Sequence, residues 1–216
     1  LRPEDALALV TERGRGMAES AAQTATGMTA VLGGDRDEVL ACLESHGLTP
    51  ANDNGSGQIV AAGTTEQLEA LAAAPPERAR LRRLSVAGAF HTRHMASAVE
   101  RVERLAKTIE PADPRTRLLS NRDGTVVTSG HVYLDRLVQQ ISTPVRWDSC
   151  TETLAGLGAT AIIELPPAGT LTGLAKRGLP GTERLAVKTP DDLERARELV
   201  REHTENTAPP QEGRLR

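Results

Sequence analysis

Gly88-Ala89-Phe90-His91-Thr92-Arg93-His94-Met95 is the stretch on which the reading of this chain turns. Leu84 and Val86 before it have the alternation of a strand, and the spacing of apolar residues from Thr92 onward is that of a long helix, expected over 92–110. A side chain at a strand-to-helix corner is held rigidly while its tip faces a cleft. Histidine titrates near neutral pH, so His91 in that position suits a general base. A plainer role is open too, with His91 capping the helix that follows.

Upstream of this corner, the pattern over 27–86 reads β-α-β-β-α-β. The strands are expected at 27–34, 48–51, 58–62 and 80–86, with helices at 35–46 and from Thr64 or Thr65 to about Ala74. That order is the split pattern of a ferredoxin-like α+β subdomain. A helix over 3–20 comes first, with Pro3 near its start and Glu4 and Asp5 in its first turn. Downstream, helices and strands alternate: strand 116–120, helix 131–142, helix 147–157, strand 160–165, helix 169–177, strand 184–187 and helix 190–203. Alternation of this kind favours a parallel α/β sheet. The division expected is therefore 1–26 with 87–203 as a large α/β part, 27–86 as an inserted subdomain, and 204–216 as a disordered polar tail.

The composition excludes several classes. A net charge of −3 over 216 residues does not mark a nucleic-acid binder. Phe90, Tyr133 and Trp147 supply no stacking platform for single strands. No apolar run approaches the ~20 residues of a membrane span. Cys42 and Cys150 are far apart and in no metal spacing, which fits free thiols in a reducing cytoplasm. The polar start Leu1-Arg2-Pro3-Glu4-Asp5 has no initiator methionine and reads as a cut inside a larger protein.

Two further polar residues stand where chemistry is possible. At about 3.6 residues per turn, Ala6, Val10, Gly14 and Met17 share a face of the first helix, with Arg13 on its edge. A guanidinium there must find a partner, snorkel to solvent, or receive an anion. Gln140 lies at a helix end before Pro144, and local capping alone accounts for much of Gln140-Ile141-Ser142-Thr143-Pro144-Val145-Arg146-Trp147.

Together these segments resemble those of malonyl-CoA:acyl-carrier-protein transacylases, of the acyltransferase domain family. Residues 88–95 resemble the family's active-site histidine segment. Leu9-Val10-Thr11-Glu12-Arg13-Gly14-Arg15-Gly16-Met17 resembles its arginine helix, and 140–147 its Asn/Gln-Leu-x-x-Pro-Val-x-Trp/Phe segment. Looser matches are Asn52-Asp53-Asn54-Gly55-Ser56-Gly57-Gln58-Ile59-Val60 and Leu165-Pro166-Pro167-Ala168-Gly169-Thr170-Leu171-Thr172-Gly173-Leu174. The resemblance runs from about residue 3 to 200, the C-terminal two-thirds of the family's domain. It implies a partial α/β-hydrolase-like parallel sheet domain carrying the inserted ferredoxin-like subdomain.

The resemblance also implies roles. His91 and Gln140 are the catalytic residues, with the Gln140 main-chain carbonyl accepting from His91 Nδ1 and leaving Nε2 to take the proton of a nucleophilic serine. Arg13 clamps the malonyl carboxylate, as a planar guanidinium does better than an ammonium. Met17 and Phe90 line the acyl pocket, where a ring beside the base crowds α-substituted acyl groups. The family usually has a bulky residue at the position of Gly16. Malonyl-CoA is the expected substrate and acyl carrier protein the expected partner, with no metal or other cofactor. Arg80, Lys176 and Arg177 are candidates for steering an acidic carrier, or are ordinary solvated charge.

One required element is absent from these residues. The family's nucleophile sits in a Gly-His-Ser-x-Gly elbow, and no serine of the 216 residues lies in Gly-x-Ser-x-Gly. Ser56, between Gly55 and Gly57, has Asn54 and Gln58 at the outer positions. In the family, that elbow and an oxyanion-hole glutamine precede the arginine helix. Two functions follow as expectations: malonyl transfer by a Ser-His dyad whose serine this stretch lacks, or a catalytically inactive carrier-binding module or degenerate acyltransferase.

Overall fold

The computed structural model describes residues 1–205 and shows an α/β protein. Its backbone contacts divide into two compact units, Leu1–Thr153 and a second beginning at Leu154. The boundary falls inside a helix over Trp147–Gly156, whereas the sequence division set 27–86 apart. Of the expected disordered tail, residues 204 and 205 close the last helix; the rest lies outside the described residues.

The first unit opens with α1 (Pro3–Gln23), followed by β1 (Thr26–Gly33), α2 (Arg36–Ser45), β2 (Thr49–Asp53), β3 (Gln58–Thr64), α3 (Thr65–Ala73) and β4 (Ala79–Arg83). Local chemistry sets these boundaries. The Asp35 carboxylate accepts from the N–H groups of Asp37 and Glu38, satisfying the start of α2. Gly47, at φ +65°, lets the chain leave α2 through the left-handed region. Thr64 and Gln67 cap α3 reciprocally. The strands lie in the order β4-β1-β3-β2, each pair antiparallel.

Side-chain alternation splits this sheet between two cores. Val31, Ile59 and Ala61 point to one face and share a buried cluster with Val39 and Leu43 of α2 and Leu68 and Leu71 of α3. Met28, Val60 and Ala62 point to the other, in a cluster with Ala51 and Ala89, against which Leu84 and Phe90 pack. The second face is thus the floor beneath the His91 segment.

After β4 the chain departs from the expected long helix. Residues 84–92 form no helix or strand, Arg93–Met95 make a 3₁₀ turn, and α4 covers only Ala96–Ala106. Then come β5 (Leu118–Leu119), β6 (Val126–Val127), α5 (Gly130–Gln139), β7 (Val145–Arg146) and α6 (Trp147–Gly156). β6 and β7 are too short for an alternating pattern to reveal. β7 adds parallel to β2, pairing Asn52 with Val145 and Asp53 with Arg146. That register joins the Asn52–Val60 segment to the Gln140–Trp147 segment. A third core cluster gathers Leu9 and Met17 of α1, Ala98 and Val102 of α4, Leu134 and Val138 of α5, and Ile141.

The second unit contains β8 (Ala161–Glu164), α7 (Thr170–Gly178), β9 (Glu183–Ala186) and α8 (Asp192–Glu205). β8 and β9 pair in parallel from Ala161↔Glu183 to Glu164↔Ala186, with α7 as the crossover. The Glu164 carboxylate accepts from the backbone N–H groups of Gly169, Leu171 and Thr172 and from the Thr172 hydroxyl, closing the first turn of α7. No helix among the described residues is long and apolar enough to cross a membrane.

Candidate active site

α1 presents Arg13, but on a different stripe from the one that apolar spacing marks. The buried residues are Leu9, Gly16, Met17 and Ser20, whereas Val10 is 56% exposed. The neighbouring helix explains this. A Cβ at Gly16 would lie 3.0 Å from Ala98 Cβ on α4, and the Ser20 and Ser97 hydroxyls meet at 2.7 Å. Small residues let two helix backbones approach, and they carry no apolar signal in a sequence. Arg13 therefore sits within the buried stripe, not at its edge. It is partly buried, and burial lowers its pKa from the ordinary value.

His91 is held by its own segment. Its φ is +60°, a left-handed backbone that a non-glycine residue adopts at some expense. Several bonds impose it. The Thr92 hydroxyl, buried with its residue, donates to the Ala89 carbonyl at 2.6 Å and accepts from the His94 N–H. The Ala89 N–H donates to Thr26 Oγ1 at 3.0 Å. Gly88 must be glycine for lack of space, since a Cβ there would lie 2.8 Å from Ala21 Cβ. Thr26, Gly88 and Thr92 form a support that the sequence reading did not single out. The Gly-Ala pair before an aromatic residue is the one local sign of a close backbone approach.

Gln140, the C-terminal cap of α5, brings Arg13 and His91 together. Its main-chain oxygen lies 2.8 Å from His91 Nδ1, so with the Nδ1–H tautomer the imidazole donates there. Its side-chain Oε1 accepts from Arg13 Nη2 at 3.0 Å. No partner among the described residues meets His91 Nε2. Burial lowers the His91 pKa, the Gln140 carbonyl opposes that shift, and the nearby Arg13 charge adds to it. The site thus offers a largely neutral imidazole with one nitrogen anchored, beside a guanidinium that no carboxylate neutralises among the described residues. A base next to an anion receptor is the chemistry available.

The remaining candidates are distributed as follows. Phe90 packs against both the sheet cluster and the helix cluster, beside His91. Met17 is buried in the helix cluster, one turn beyond Arg13. Arg80 is exposed on β4, a sheet edge in the first unit, while Lys176 and Arg177 are exposed on α7 in the second. The segment 165–174 contains a cis Pro166–Pro167 bond and the start of α7. Cys42 and Cys150 are both free thiols.

Comparison with known proteins gives the family of the chain. The family described as "Acyl transferase domain" matches residues 1–207. The malonyl CoA-acyl carrier protein transacylase of Mycobacterium tuberculosis is 55% identical over 191 residues, covering 88% of this chain and 63% of that protein. The Escherichia coli K12 protein of the same name is 32% identical over 202 residues, covering 90% and 65%. The chain therefore spans less than two thirds of the length of these relatives. The crystal structure of MCAT from Mycobacterium tuberculosis superposes with a TM-score of 0.87 at 54% identity, over 90% of this chain and 65% of that one. A malonyl-transacylase solved in complex with a type II PKS acyl-carrier protein gives 0.80 at 29% identity, over 90% and 65%. By fold, and by a family match over nearly its whole length, the chain belongs to the acyl transferase domain family.

Proposed function

We propose that these residues form the base and the carboxylate receptor of a malonyl-CoA:acyl carrier protein transacylase. The observation that carries this reading is the partly buried Arg13, which has a neutral hydrogen-bond partner and no acidic one among the described residues, next to His91. A buried guanidinium without a carboxylate is a standing receptor for an anionic group.

In the reaction, His91 Nε2 takes the proton from a serine in a Gly-x-Ser-x-Gly element, which these 216 residues do not contain. The serine oxygen attacks the malonyl thioester, the C–S bond breaks, and coenzyme A leaves as the thiol with that proton. The phosphopantetheine thiol of the carrier then gives its proton to His91 and attacks the acyl ester, and the serine recovers a proton. Arg13 holds the malonyl carboxylate in both halves. Phe90 crowds substituents on the acyl α-carbon, a bias of about 1–3 kcal/mol per methyl. The work is cytoplasmic and needs no metal or further cofactor. Exposed Arg80, Lys176 and Arg177 steer the acidic carrier, a sequence-tolerant effect that salt weakens.

A second reading is a non-catalytic module that retains the carrier-binding surface. The test joins this chain to the part of the Mycobacterium tuberculosis relative that it does not cover and measures transfer to acyl carrier protein. Arg13→Ala should lose malonyl transfer far more than acetyl transfer, and His91→Ala should cut both by about 10²–10⁴-fold. Equal loss of both acyl groups in Arg13→Ala refutes the receptor. Carrier binding with no transfer by the joined protein favours the module.

A further inference from the structure

The two contacts of Gln140 are made by different parts of one residue, 49 positions from His91 and 127 from Arg13 in the chain. The main-chain carbonyl belongs to the end of α5 and serves the imidazole whatever side chain is present. The carboxamide is a separate device. A guanidinium has only donors, so the carboxamide must turn its oxygen toward Arg13, and this fixes the amide orientation. Arg13 is thereby held at one N–H, with its other donors left for an incoming ligand.

We propose that the Gln140 side chain is a positioning residue for Arg13, and that it makes occupation of Arg13 by a carboxylate felt at His91. The inference rests on the reading of Arg13 as the receptor of the malonyl carboxylate. A long, flexible arginine samples many rotamers when unheld, and each must be given up on binding. The 3.0 Å bond to Oε1 settles that choice beforehand and keeps the guanidinium charge beside the imidazole. A carboxylate bound to Arg13 offsets that charge, so His91 becomes more basic when the correct acyl group arrives and not when acetyl does. The charged group that acts on His91 is Arg13 on α1; Arg93 and His94 follow His91 in its own turn, and Arg136 in the last turn of α5 pairs with Asp123.

The experiment uses the 216-residue chain with malonyl-CoA and acetyl-CoA as probes, read by calorimetry and by NMR titration of the His91 imidazole. In the unsubstituted chain, malonyl-CoA should bind more tightly than acetyl-CoA and raise the His91 pKa. Gln140→Leu keeps the main-chain carbonyl. It should bind malonyl-CoA about tenfold more weakly, ~1.4 kcal/mol, with acetyl-CoA unchanged and the malonyl-linked rise at His91 reduced. Gln140→Glu is the opposite test: its carboxylate should occupy Arg13, raise the His91 pKa without ligand and erase the malonyl preference. Gln140→Leu with unchanged malonyl binding, or with equal losses for both probes, overturns the proposal. If Gln140→Leu fails to fold, an unshifted His91 and an intact preference in Gln140→Glu overturn it instead. No malonyl preference in the unsubstituted chain sinks the receptor role of Arg13 itself, and this proposal with it.

Discussion

Gly16 and Ala98 set the distance between α1 and α4. A Cβ on Gly16 would come within 3.0 Å of Ala98 Cβ and 3.2 Å of its Cα, which is backbone and cannot swing away. Arg13 lies one turn earlier on the same stripe, and its guanidinium donates to Gln140 Oε1 at 3.0 Å. Gly14, two residues away, has nothing within 4 Å of its missing Cβ.

The two glycines should therefore respond with opposite signs. Gly16→Leu overpacks the helix contact and should destabilise by about 1–3 kcal/mol. Gly14→Ala gains helix propensity without a clash and should stabilise by up to about 1 kcal/mol. Urea unfolding of both variants checks this. A stabilised Gly16→Leu would show that α1 is free to move off α4.

Thr92→Val should loosen the His91 segment. The valine matches the shape of a buried threonine but leaves the Ala89 carbonyl and the His94 N–H without their partner. The expected loss is about 1–3 kcal/mol, with faster amide exchange at His94. Unchanged exchange there would mean that the left-handed His91 backbone stands without the hydroxyl.

Much of this arrangement is legible in the sequence, for reasons that can be named. The caps at Asp35 and Thr64 and the turn at Gly47 mark their helices through side chains that act locally. The His91, Arg13 and Gln140 segments are recognisable as motifs, and the His91 Nδ1 to Gln140 carbonyl contact is present at 2.8 Å. The face of α1 is not legible. Its burial is decided by Gly16 and Ser20 meeting Ala98 and Ser97, and small residues announce no face. Neither is β7, whose two residues become a strand only because β2 offers a partner far away in sequence. The helix expected from Thr92 starts later because the Thr92 side chain caps a 3₁₀ turn first.

Glu164 should make the second unit acid-sensitive. Burial by itself would raise its pKa, but the N–H groups of Thr172, Leu171 and Gly169 and the Thr172 hydroxyl outweigh that and hold it at about 2. A carboxyl depressed in the fold stabilises fully above its unfolded pKa, about 4.3, and loses that contribution as pH falls toward 2. Glu164→Gln should be less stable at pH 7 and show a flatter loss of stability between those values. Parallel pH profiles for the two proteins would rule out this carboxylate as the source.

The 216-residue chain should form no acyl-enzyme. No serine in it occupies the Gly-x-Ser-x-Gly setting, and the hydroxyls of Ser20 and Ser120 serve helix packing and a turn. Incubation with malonyl-CoA followed by intact mass measurement should show the unmodified mass alone. A stoichiometric malonyl adduct on any serine would refute the dyad reading and place the nucleophile within these residues.

Arg13→Met should raise the pKa of His91. Burial holds that pKa below the ordinary 6.5, the bond to the Gln140 carbonyl pulls it up, and the guanidinium pushes it down again. Removing the charge removes the last of these while a methionine of similar length keeps much of the burial. The effect on stability follows in sign. A histidine whose folded pKa is lowered binds fewer protons folded than unfolded just below pH 6.5, so the fold loses stability as pH falls from there through the folded value. With Arg13 gone the two pKa values lie closer, and that acid loss should shrink. NMR titration of the imidazole, with urea unfolding at pH 5 and pH 8, measures both. A His91 pKa that stays fixed or falls in Arg13→Met would show that the guanidinium charge does not reach the imidazole. Arg13 and His91 would then be neighbours without electrostatic coupling.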